Sequence, residues 1–495
     1  MNIKLLFPLA LVALSISCYN LTPIKPTKPN IILIMADDLG WGDVGFNGNK
    51  IIKTPNLDKM ASQGIQFNRF YSACAVCSPT RASVLTGRNP YRTGVFTANC
   101  GILRPEEYTI PEMLKTKGYA TGHFGKWHLG TLTTKEKDAN RGKIGNTKEF
   151  NPPRLHGYDV AFVSESKVPT WDPMKKPANM KENNGSLRDG WKALKKGHEF
   201  KEYGTHYWDI NDNKISENLD GDDSRVIMDR VVPFIKEKVS EKTPFLAVVW
   251  FHTPHLPVVA GPEYAKMYSG YTDFEKNYYG CITAMDEQIG RLRALLKEEG
   301  IDKNTMICFC SDNGPEDGTP GKTGIYKNRK RSLNEGGVRV PGIIYYPKLI
   351  KKHFETDFPA VTSDYLPTIA SLIGYDIKKI PYELDGIDLT PVLSGKTTNR
   401  SENIVSCFTD QISLNGSQYK VYYKKGKCVY YDIIKDPSET TPIEETPELK
   451  GLREKMDIRV SHYKDSFDGK EYGTVSYNRE EQTWRDPVTF GQNRK

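Results

Sequence analysis

The sequence predicts an α/β fold, in which one large domain built on buried parallel strands is followed by a small C-terminal antiparallel α+β subdomain. Three observations lead to this prediction. Apolar runs recur along residues 29–390, amphipathic helical segments separate them, and alternating apolar and polar residues replace both patterns beyond residue 390. Near-continuous apolar runs are typical of parallel strands that are covered on both faces.

Four of the apolar runs end in polar residues. The runs and the residues that follow them are 30–35 with Ala36-Asp37-Asp38, 119–124 with Gly125-Lys126-Trp127-His128, 245–251 with His252-Thr253-Pro254-His255, and 306–310 with Ser311-Asp312-Asn313-Gly314. In open α/β sheets, ligands bind beyond the carboxyl ends of the strands. We therefore expect these four polar clusters to meet at one site, although they lie far apart in the sequence.

Helical segments complete the large domain. Apolar residues recur at helical spacing in residues 279–299, where Gly300 provides a stop signal, and residues 225–239 and 366–373 show a similar pattern. Helices that alternate with buried strands indicate an α/β architecture. We therefore assign residues 29–390 to a single domain.

The remaining segments differ in character. Two alternating runs, residues 418–424 and 427–434, flank Lys425-Gly426 and predict a β-hairpin within a subdomain of residues 391–495. Residues 165–225 are rich in Lys, Asn, Gly and Asp and show little periodicity. This composition predicts an insertion that lies over the site rather than a separate domain.

The N-terminus reads as an export signal. In residues 1–18, one lysine precedes an apolar run that is too short to span a bilayer, and small residues lead to Cys18. This pattern resembles a bacterial lipoprotein cleavage site, with an ordinary cleaved signal as the alternative. Residues 19–28 suit a tether because they are rich in Pro, Thr and Lys. We expect export to the periplasm or cell surface of a bacterium, with membrane contact only through a lipid on Cys18.

Composition limits the classes of partner. The chain has 69 Lys and Arg against 61 Asp and Glu, a net charge of +8 that is spread along its 495 residues. Helix-turn-helix, zinc-finger and RNA-binding patterns are lacking, so we expect no nucleic-acid partner. A mildly basic surface suits an acidic substrate. The nine cysteines are irregularly spaced and form no paired metal-binding framework.

Oxygen ligands close two of the buried strands. Asp37, Asp38, Asp312 and Asn313 are hard donors that suit Ca²⁺ or Mg²⁺ better than zinc. Asp-Asn-Gly alone is usually a turn, but two such groups at two strand ends favour a metal site. Cationic residues accompany them. Lys126 and His128 are two apart and share one side of an extended chain.

Further cationic groups are Arg81, Lys330 and the histidines His252 and His255, for which a strand-end cap or a core position is the competing interpretation. Such groups beside a divalent cation would bind a tetrahedral oxyanion such as sulfate or phosphate.

The segment 74–87 contains two cysteines, Cys74 and Cys77. Tyrosine-phosphatase chemistry would need an arginine six positions after the nucleophile, but these positions hold Thr80 and Ser83. A thiolate is also a poor ligand for a hard metal. We therefore predict that Cys77 does not remain a cysteine, and that Cys74 is a buried small residue.

At this point the sequence resembles a known family. Cys77-Ser-Pro-Thr-Arg81 followed by Ala82-Ser-Val-Leu-Thr-Gly87 is similar to the motif of type I, formylglycine-dependent sulfatases in the alkaline phosphatase superfamily. The four polar clusters and Glu335-Gly-Gly-Val-Arg-Val-Pro341 follow in the family's order. The resemblance implies a large mixed, mostly parallel sheet sandwiched by helices, in which residues 29–390 form the catalytic domain.

The resemblance also implies the roles of site residues. A maturation enzyme would oxidise Cys77 to Cα-formylglycine, whose hydrated form would complete a single Ca²⁺ site. The other calcium ligands would be Asp37, Asp38, Asp312 and Asn313. Lys126, Lys330 and one histidine of the His252/His255 pair would hold sulfate and protonate the leaving oxygen. Arg81 would activate the hydrated residue 77, and His128 would accept a proton from it.

We therefore expect an exported, calcium-dependent sulfatase that hydrolyses sulfate esters. Export and family habit, rather than any residue, indicate O-sulfate on a poly- or oligosaccharide as the substrate. Two alternatives stay open. The chain could be a phosphoester or phosphonate hydrolase of the same superfamily, or, if Cys77 is unmodified, an inactive binder of sulfated glycans.

Overall fold

The structure is a computed structural model that describes residues 28–179, 186–194, 197, 199–472 and 484–488. The predicted export signal, Cys18 and nearly all of the predicted tether lie outside these residues. In the described part of the chain, the helices are α1 (Pro55–Ala61), α2 (Cys77–Thr86), α3 (Ile110–Lys115), α4 (Ser186–Asp189), α5 (Asp223–Ser240), α6 (Pro262–Lys266), α7 (Asp273–Glu298), α8 (Glu335–Val338), α9 (Tyr365–Leu372), α10 (Thr390–Leu393) and α11 (Pro447–Phe467). Among the described helices, none is both long and apolar enough for a membrane span.

The strands in the same ranges are β1 (Asn30–Ala36), β2 (Ile65–Phe67), β3 (Phe70–Tyr71), β4 (Ala120–Lys126), β5 (Val160–Ser164), β6 (Lys175–Pro177), β7 (Phe200–Glu202), β8 (Tyr207–Asp209), β9 (Lys214–Ile215), β10 (Phe245–Trp250), β11 (Thr305–Ser311), β12 (Arg339–Val340), β13 (Gly342–Tyr345), β14 (Phe354–Thr356), β15 (Ala360–Val361), β16 (Ile404–Phe408), β17 (Gln411–Asn415), β18 (Tyr419–Lys424) and β19 (Lys427–Asp432).

Ten of these strands form one mixed sheet in the order β14-β2-β13-β11-β1-β10-β4-β5-β8-β9. The central strands β11, β1, β10, β4 and β5 are parallel, whereas β13 and β8 pair antiparallel at either side. This confirms the expected large, mostly parallel sheet. β8 and β9 belong to the segment 165–225, whose sequence showed no strand periodicity because these strands are only three and two residues long.

Side chains cover both faces of the sheet. Since successive strand residues point to opposite faces, Ile31 and Leu33 of β1 join one core cluster and Ile32 and Ile34 join the other. The first cluster includes residues of α2, α3 and α9, and the second includes residues of α1, α5 and α7. Burial of each such side chain contributes about 1.5–3 kcal/mol. The helices therefore sandwich the sheet, as predicted.

The parallel strands end in register. Met35 of β1 lies opposite Trp250 of β10 and Cys310 of β11, and Trp250 lies opposite Gly125 of β4. The polar residue pairs that follow these strands therefore emerge along the same edge of the sheet. Backbone hydrogen bonds continue past the strands, because the Asp312 amide donates to the Ala36 carbonyl at 3.1 Å.

The C-terminal strands β16–β19 form a separate antiparallel sheet in chain order. Lys425 and Gly426 connect β18 to β19 with φ values of 49° and 81°, which confirms the predicted hairpin. The sequence interpretation did not include α11, which packs Met456, Val460 and Tyr463 against this sheet.

A buried ion cluster joins the small sheet to the large domain. Lys420 of β18 lies 2.9 Å from a Glu335 oxygen of α8 and 3.0 Å from a Glu439 oxygen, and all three side chains are fully buried. Glu439 also accepts hydrogen bonds from the Glu335 amide at 2.7 Å and from Asn334 Nδ2 at 2.9 Å. The loop that precedes α8, which contains Lys330, is thus held from the C-terminal side.

Candidate active site

The carboxyl edge of the central sheet carries a dense cluster of ionisable groups. Asp37 and Asp38 follow β1, Lys126 ends β4, and Asp312 follows β11. Asp38 has a left-handed backbone with φ 66°, a conformation that non-glycine residues rarely adopt outside turns and functional sites. The convergence of these strand ends is the arrangement that the sequence predicted.

Oxygen atoms dominate one part of this cluster. Ligand atoms of Asp37, Cys77 and Asp312 lie within 4.8 Å of one another, as do those of Asp37, Asp38 and His255. Asn313 Nδ2 donates to Asp38 Oδ1 at 2.7 Å, while the buried Asn313 Oδ1 and Asp37 Oδ1 have no hydrogen-bond partner among the described residues, although Arg81 Nη2 lies 3.4 Å from Asp37 Oδ1. Buried acceptors without partners are rare in proteins. These oxygens suit a hard divalent cation, so the donor set fits the predicted metal.

Three buried cations neutralise the carboxylates. Lys126 Nζ donates to Asp37 at 2.7 Å, and Arg81 Nη2 donates to Asp312 at 2.6 Å. Lys330 Nζ contacts both carboxylate oxygens of Asp38, at 2.6 and 2.7 Å. Unpaired charges at such depth would be strongly destabilising, so these pairings account for how the ions can be buried.

The carboxyl groups differ in proton affinity. Burial raises the pKa of Asp312 to about 7, with the neighbouring Asp37 charge adding to the effect and Arg81 opposing it. Burial also acts on Asp37, but Lys126, His255, Arg81 and Lys330 together hold the pKa of that carboxyl well below its usual range. Two adjacent acids with separated pKa values are typical of sites that move protons.

Cys77 begins α2, and its side chain is buried. Burial raises the pKa of the Cys77 thiol. Lys126 and Lys330 lower this pKa in part, whereas the nearby Asp312 and Asp37 charges raise it further. The encoded side chain is therefore a protonated thiol, which is a weak nucleophile. This environment agrees with the sequence-based expectation that residue 77 acts in another chemical form.

His128 occupies a strained position near Lys126. Its φ is 59°, its ring is buried, and its Nε2 lies 2.9 Å from Asn99 Oδ1. Burial lowers the pKa of His128 well below the usual value, and Lys126, Arg141 and Arg81 lower it further. The imidazole is therefore neutral.

The two histidines after β10 lie in different surroundings. His255 Nε2 lies 3.8 Å from Asp38 Oδ2 and retains some solvent exposure. His252 is fully buried, with Nδ1 2.9 Å from Asp223 Oδ2 and Nε2 2.6 Å from Ser164 Oγ. The structure thus brings His255 into the ion cluster and places His252 in a separate polar network beside β5.

Two ionisable residues near the cluster were not among the candidates predicted from the sequence. Glu316 lies 3.6 Å from Lys330 Nζ, and Lys167 interacts electrostatically with both Lys126 and Lys330. Burial lowers the pKa of Lys167, and these two lysines lower it further. A signal was available, because Lys167 lies three residues past β5, a fifth strand that ends at the same edge.

Comparison with known proteins places this geometry in context. A family model described as Sulfatase matches residues 29–375. An N-acetylgalactosamine-6-sulfatase from Mus musculus is 32% identical over 397 residues, which cover 76% of this chain and 68% of that protein. An ulvan-active sulfatase from Formosa agariphila is 28% identical over 487 residues, which cover 92% and 85%.

Solved structures give the same result. The crystal structure of Ps i-CgsB in complex with k-i-k-neocarrahexaose superposes with a TM-score of 0.72 at 27% sequence identity. The match covers 92% of this chain and 97% of that one.

Proposed function

This chain belongs to the sulfatase family and is a sulfuric ester hydrolase; on this premise, we propose that it removes O-sulfate from a sulfated poly- or oligosaccharide, with a Cα-formylglycine at position 77 and one Ca²⁺. The observation that supports this proposal most directly is the convergence of Cys77, three buried carboxylates and three buried cations at one edge of the sheet. These groups come from the ends of β1, β4 and β11, from α2 and from the loop that carries Lys330.

Calcium is the metal we propose because of the donor set. Asp37, Asp38, Asp312 and Asn313 would hold the ion through oxygen atoms, and two of these residues carry buried oxygens that lack a hydrogen-bond partner within the described part of the chain. Ca²⁺ prefers six to eight oxygen ligands and tolerates irregular geometry. When bound, the ion would supply a Lewis acid at residue 77. Lys126, Lys330 and Arg81 already neutralise the carboxylates and would remain beside the ion.

Formylglycine is the form of residue 77 that we propose, because the buried thiol is protonated and Ca²⁺ is a poor partner for sulfur. A hydrated aldehyde at this position would supply a hydroxyl nucleophile. The N-terminal position of Cys77 in α2 places it within reach of the Asp37 and Asp312 oxygens. The maturation enzyme that makes this aldehyde would be a second partner of the chain.

The surrounding side chains would bind the sulfate and transfer protons. Lys126 and Lys330 would bind the sulfate oxygens as buried cations. His255 would protonate the leaving oxygen, because it lies beside Asp38 and is reachable from solvent. Asp312, with its raised pKa, would accept a proton from the nucleophile, while Arg81 stabilises the charged form of that carboxylate. His128 would accept a proton later in the cycle.

The proposed carbohydrate substrate rests on similarity. The relatives reported above are named for N-acetylgalactosamine-6-sulfate and for ulvan, and the matched structure holds a neocarrahexaose. Export of the chain, predicted from residues 1–18, would give it access to extracellular polymers. We also propose that Cys18 carries a lipid, which would keep the enzyme at the membrane of a bacterium.

A panel of defined sulfated saccharides tests the proposal. The protein should be produced together with a formylglycine-generating enzyme, and mass spectrometry should show that the peptide bearing Cys77 has exchanged its thiol for an aldehyde. This protein should release sulfate from at least one saccharide. With a matched pair of aryl esters, it should release much less phosphate from the aryl phosphate than sulfate from the aryl sulfate. Faster release of phosphate or phosphonate would favour the alternative hydrolase instead.

A matched pair of cysteine variants separates catalysis from packing. Cys77→Ala should abolish turnover, whereas Cys74→Ala should retain most of it, because the buried Cys74 thiol donates a weak hydrogen bond to the Cys407 carbonyl at 3.4 Å and contacts none of the charged groups of the site among the described residues. Full activity in a protein with an unmodified Cys77 would contradict the mechanism. Saccharide binding without sulfate release, from protein with a verified aldehyde, would favour a binding protein.

A further inference from the structure

A polar chain at the rim of the site ends on His128. Asn99 Oδ1 lies 2.9 Å from His128 Nε2 and accepts a hydrogen bond from Asn140 Nδ2 at 3.1 Å. Asn140 Nδ2 also donates to Ser166 Oγ at 2.8 Å. Three separate loops, around residues 99, 140 and 166, therefore meet next to the imidazole.

The contact between Asn99 and His128 indicates which nitrogen of His128 carries the proton. An amide oxygen has lone pairs but no hydrogen, so the contact to Asn99 Oδ1 requires a hydrogen on Nε2. In this orientation of the Asn99 amide, Oδ1 also accepts from Asn140 Nδ2, whereas a turn of Asn99 alone would bring the two NH₂ groups face to face. Both amides are exposed, so Asn140 supports this orientation of Asn99 rather than fixing it.

The other ring nitrogen, Nδ1, then carries no hydrogen. His128 Nδ1 is buried and has no hydrogen-bond partner among the described residues. The charged groups that act on this ring are Lys126, Arg141, Arg81 and Asp37, and three of them are groups of the proposed active site. Buried acceptors without a partner are destabilising and rare, so this one is expected to have a use.

The backbone supports the same interpretation. Asn99, His128 and Ala139, which precedes Asn140, all have left-handed conformations with φ values of 58°, 59° and 47°. Such conformations are strained for non-glycine residues and cluster at functional sites. Here three of them from distant segments converge on one hydrogen-bonded chain.

We propose that Asn99 is a positioning residue that fixes His128 as the Nε2–H tautomer, so that Nδ1 is the atom that accepts a proton during turnover. The inference rests on the proposed function, in which residue 77 in its hydrated form releases a hydroxyl proton. That proton would move to Nδ1, the O–H bond would break, and Nε2 would keep its own proton. The imidazolium formed would be stabilised by its hydrogen bond to Asn99. Asn140 acts one step further away, because it holds Asn99.

Nitrogen-15 NMR of histidine-labelled protein tests the tautomer directly, without turnover. The His128 signals are assigned by their absence in His128→Gln. In the wild-type chain, Nε2 should have the shift of a protonated nitrogen and Nδ1 that of a bare one, whether or not residue 77 is modified. In Asn99→Ala the two shifts should move toward each other. A wild-type His128 protonated on Nδ1, or shifts unchanged in Asn99→Ala, would overturn the proposal.

Kinetics of the aldehyde-bearing protein give a second test. Asn99→Ala should lower kcat about tenfold with KM changed less than about twofold, since general base catalysis contributes about 10²–10⁴-fold and only its alignment is lost. Asn99→Gln should recover part of kcat, and the exposed Asn399→Ala serves as the control. An increase in KM alone would make Asn99 a substrate contact and sink the proposal. If the wild-type protein releases no sulfate, the proposed function fails, while the NMR result still decides the tautomer.

Discussion

His255 Nε2 lies 3.8 Å from Asp38 Oδ2, which makes His255 the histidine of its loop that joins the ion cluster. Burial lowers the pKa of His255 to about 3, although the Asp37 and Asp38 charges act to raise it. A bound sulfate would add a further negative charge beside the ring and so favour its protonated form. We expect His255→Ala to lower kcat/KM about 10²-fold or more, the usual loss for a positioned acid–base group. The unfolding midpoint in urea should change little, because the side chain is partly exposed.

His252→Ala should have the opposite effect. The substitution removes the imidazole partner of the buried Asp223 carboxylate, which keeps its hydrogen bond from Tyr207, and breaks the contact to Ser164, so we expect a loss of about 1.5–3 kcal/mol in the free energy of unfolding. Urea denaturation of the two variants, side by side, checks this pair of predictions. A stable but inactive His252→Ala would show that our assignment of the two histidines is reversed.

Removal of the metal should reduce both activity and stability. Dialysis against a calcium chelator should abolish sulfate release and lower Tm, because a ligand that binds only the folded state stabilises it. Added Ca²⁺ should restore both, whereas a zinc-selective chelator should have no effect on the intact enzyme. Recovery with Zn²⁺ but not with Ca²⁺ would contradict the oxygen-donor argument for the site.

Lys167 should determine how a second anionic group on the substrate is tolerated. It has no ion-pair partner among the described interactions, and it adds positive charge beside Lys126 and Lys330. We expect Lys167→Gln to raise KM about ten- to a hundredfold for a disulfated saccharide, and less for a monosulfated aryl ester, since charge-assisted hydrogen bonds are worth roughly 1.5–3 kcal/mol. The exposed Lys143→Gln is a charge-matched control. Equal effects on both substrates would place Lys167 at the reacting sulfate instead.

Glu335 should make the free energy of unfolding sensitive to acid. Burial alone would raise the pKa of Glu335, but Lys420 and Arg339 outweigh it and leave the pKa lowered. A carboxyl group with a lowered pKa in the folded state stabilises the protein above its unfolded pKa of about 4.3, and this contribution is lost as the pH falls through the folded value. The free energy of unfolding should therefore decline below about pH 4 more steeply in the wild type than in Glu335→Gln.

The Glu335 prediction needs a comparison of slopes rather than of absolute stabilities. Glu335→Gln also leaves Lys420 with one carboxylate fewer, so the variant should be less stable at neutral pH. Chemical denaturation at several pH values separates the two effects. Parallel curves for the two proteins below pH 4 would show that Glu335 does not titrate in this range.

The main site was visible in the sequence because its residues follow long buried strands. Asp37, Lys126 and Asp312 needed only the rule that ligands bind at the carboxyl ends of parallel strands. Asn99 gave no such signal, because its role depends on a left-handed loop and on Asn140, which is 41 residues away. The choice between His252 and His255 likewise required the position of Asp223, which begins a distant helix.

Short and polar elements were harder to foresee for a related reason. β8 and β9 are too short for period-two alternation to appear; β8 pairs with β5, and β9 pairs with β8. α11 is largely polar, and its buried residues meet the small sheet rather than the main core. Short or polar elements of this kind are specified by tertiary contacts more than by local pattern.

The ion cluster around Glu439 has a consequence for the timing of biosynthesis. The loop that carries Lys330 is held by Glu439, and buried Cys74, three residues before Cys77, contacts the carbonyl of Cys407. Neither contact can form until those later residues have left the ribosome or the export channel. A nascent chain shorter than about 440 residues would therefore still offer position 77 to an oxidising enzyme. Completion of the polypeptide would close that window and, on the proposal that residue 77 is oxidised, seal the modified side chain inside the protein.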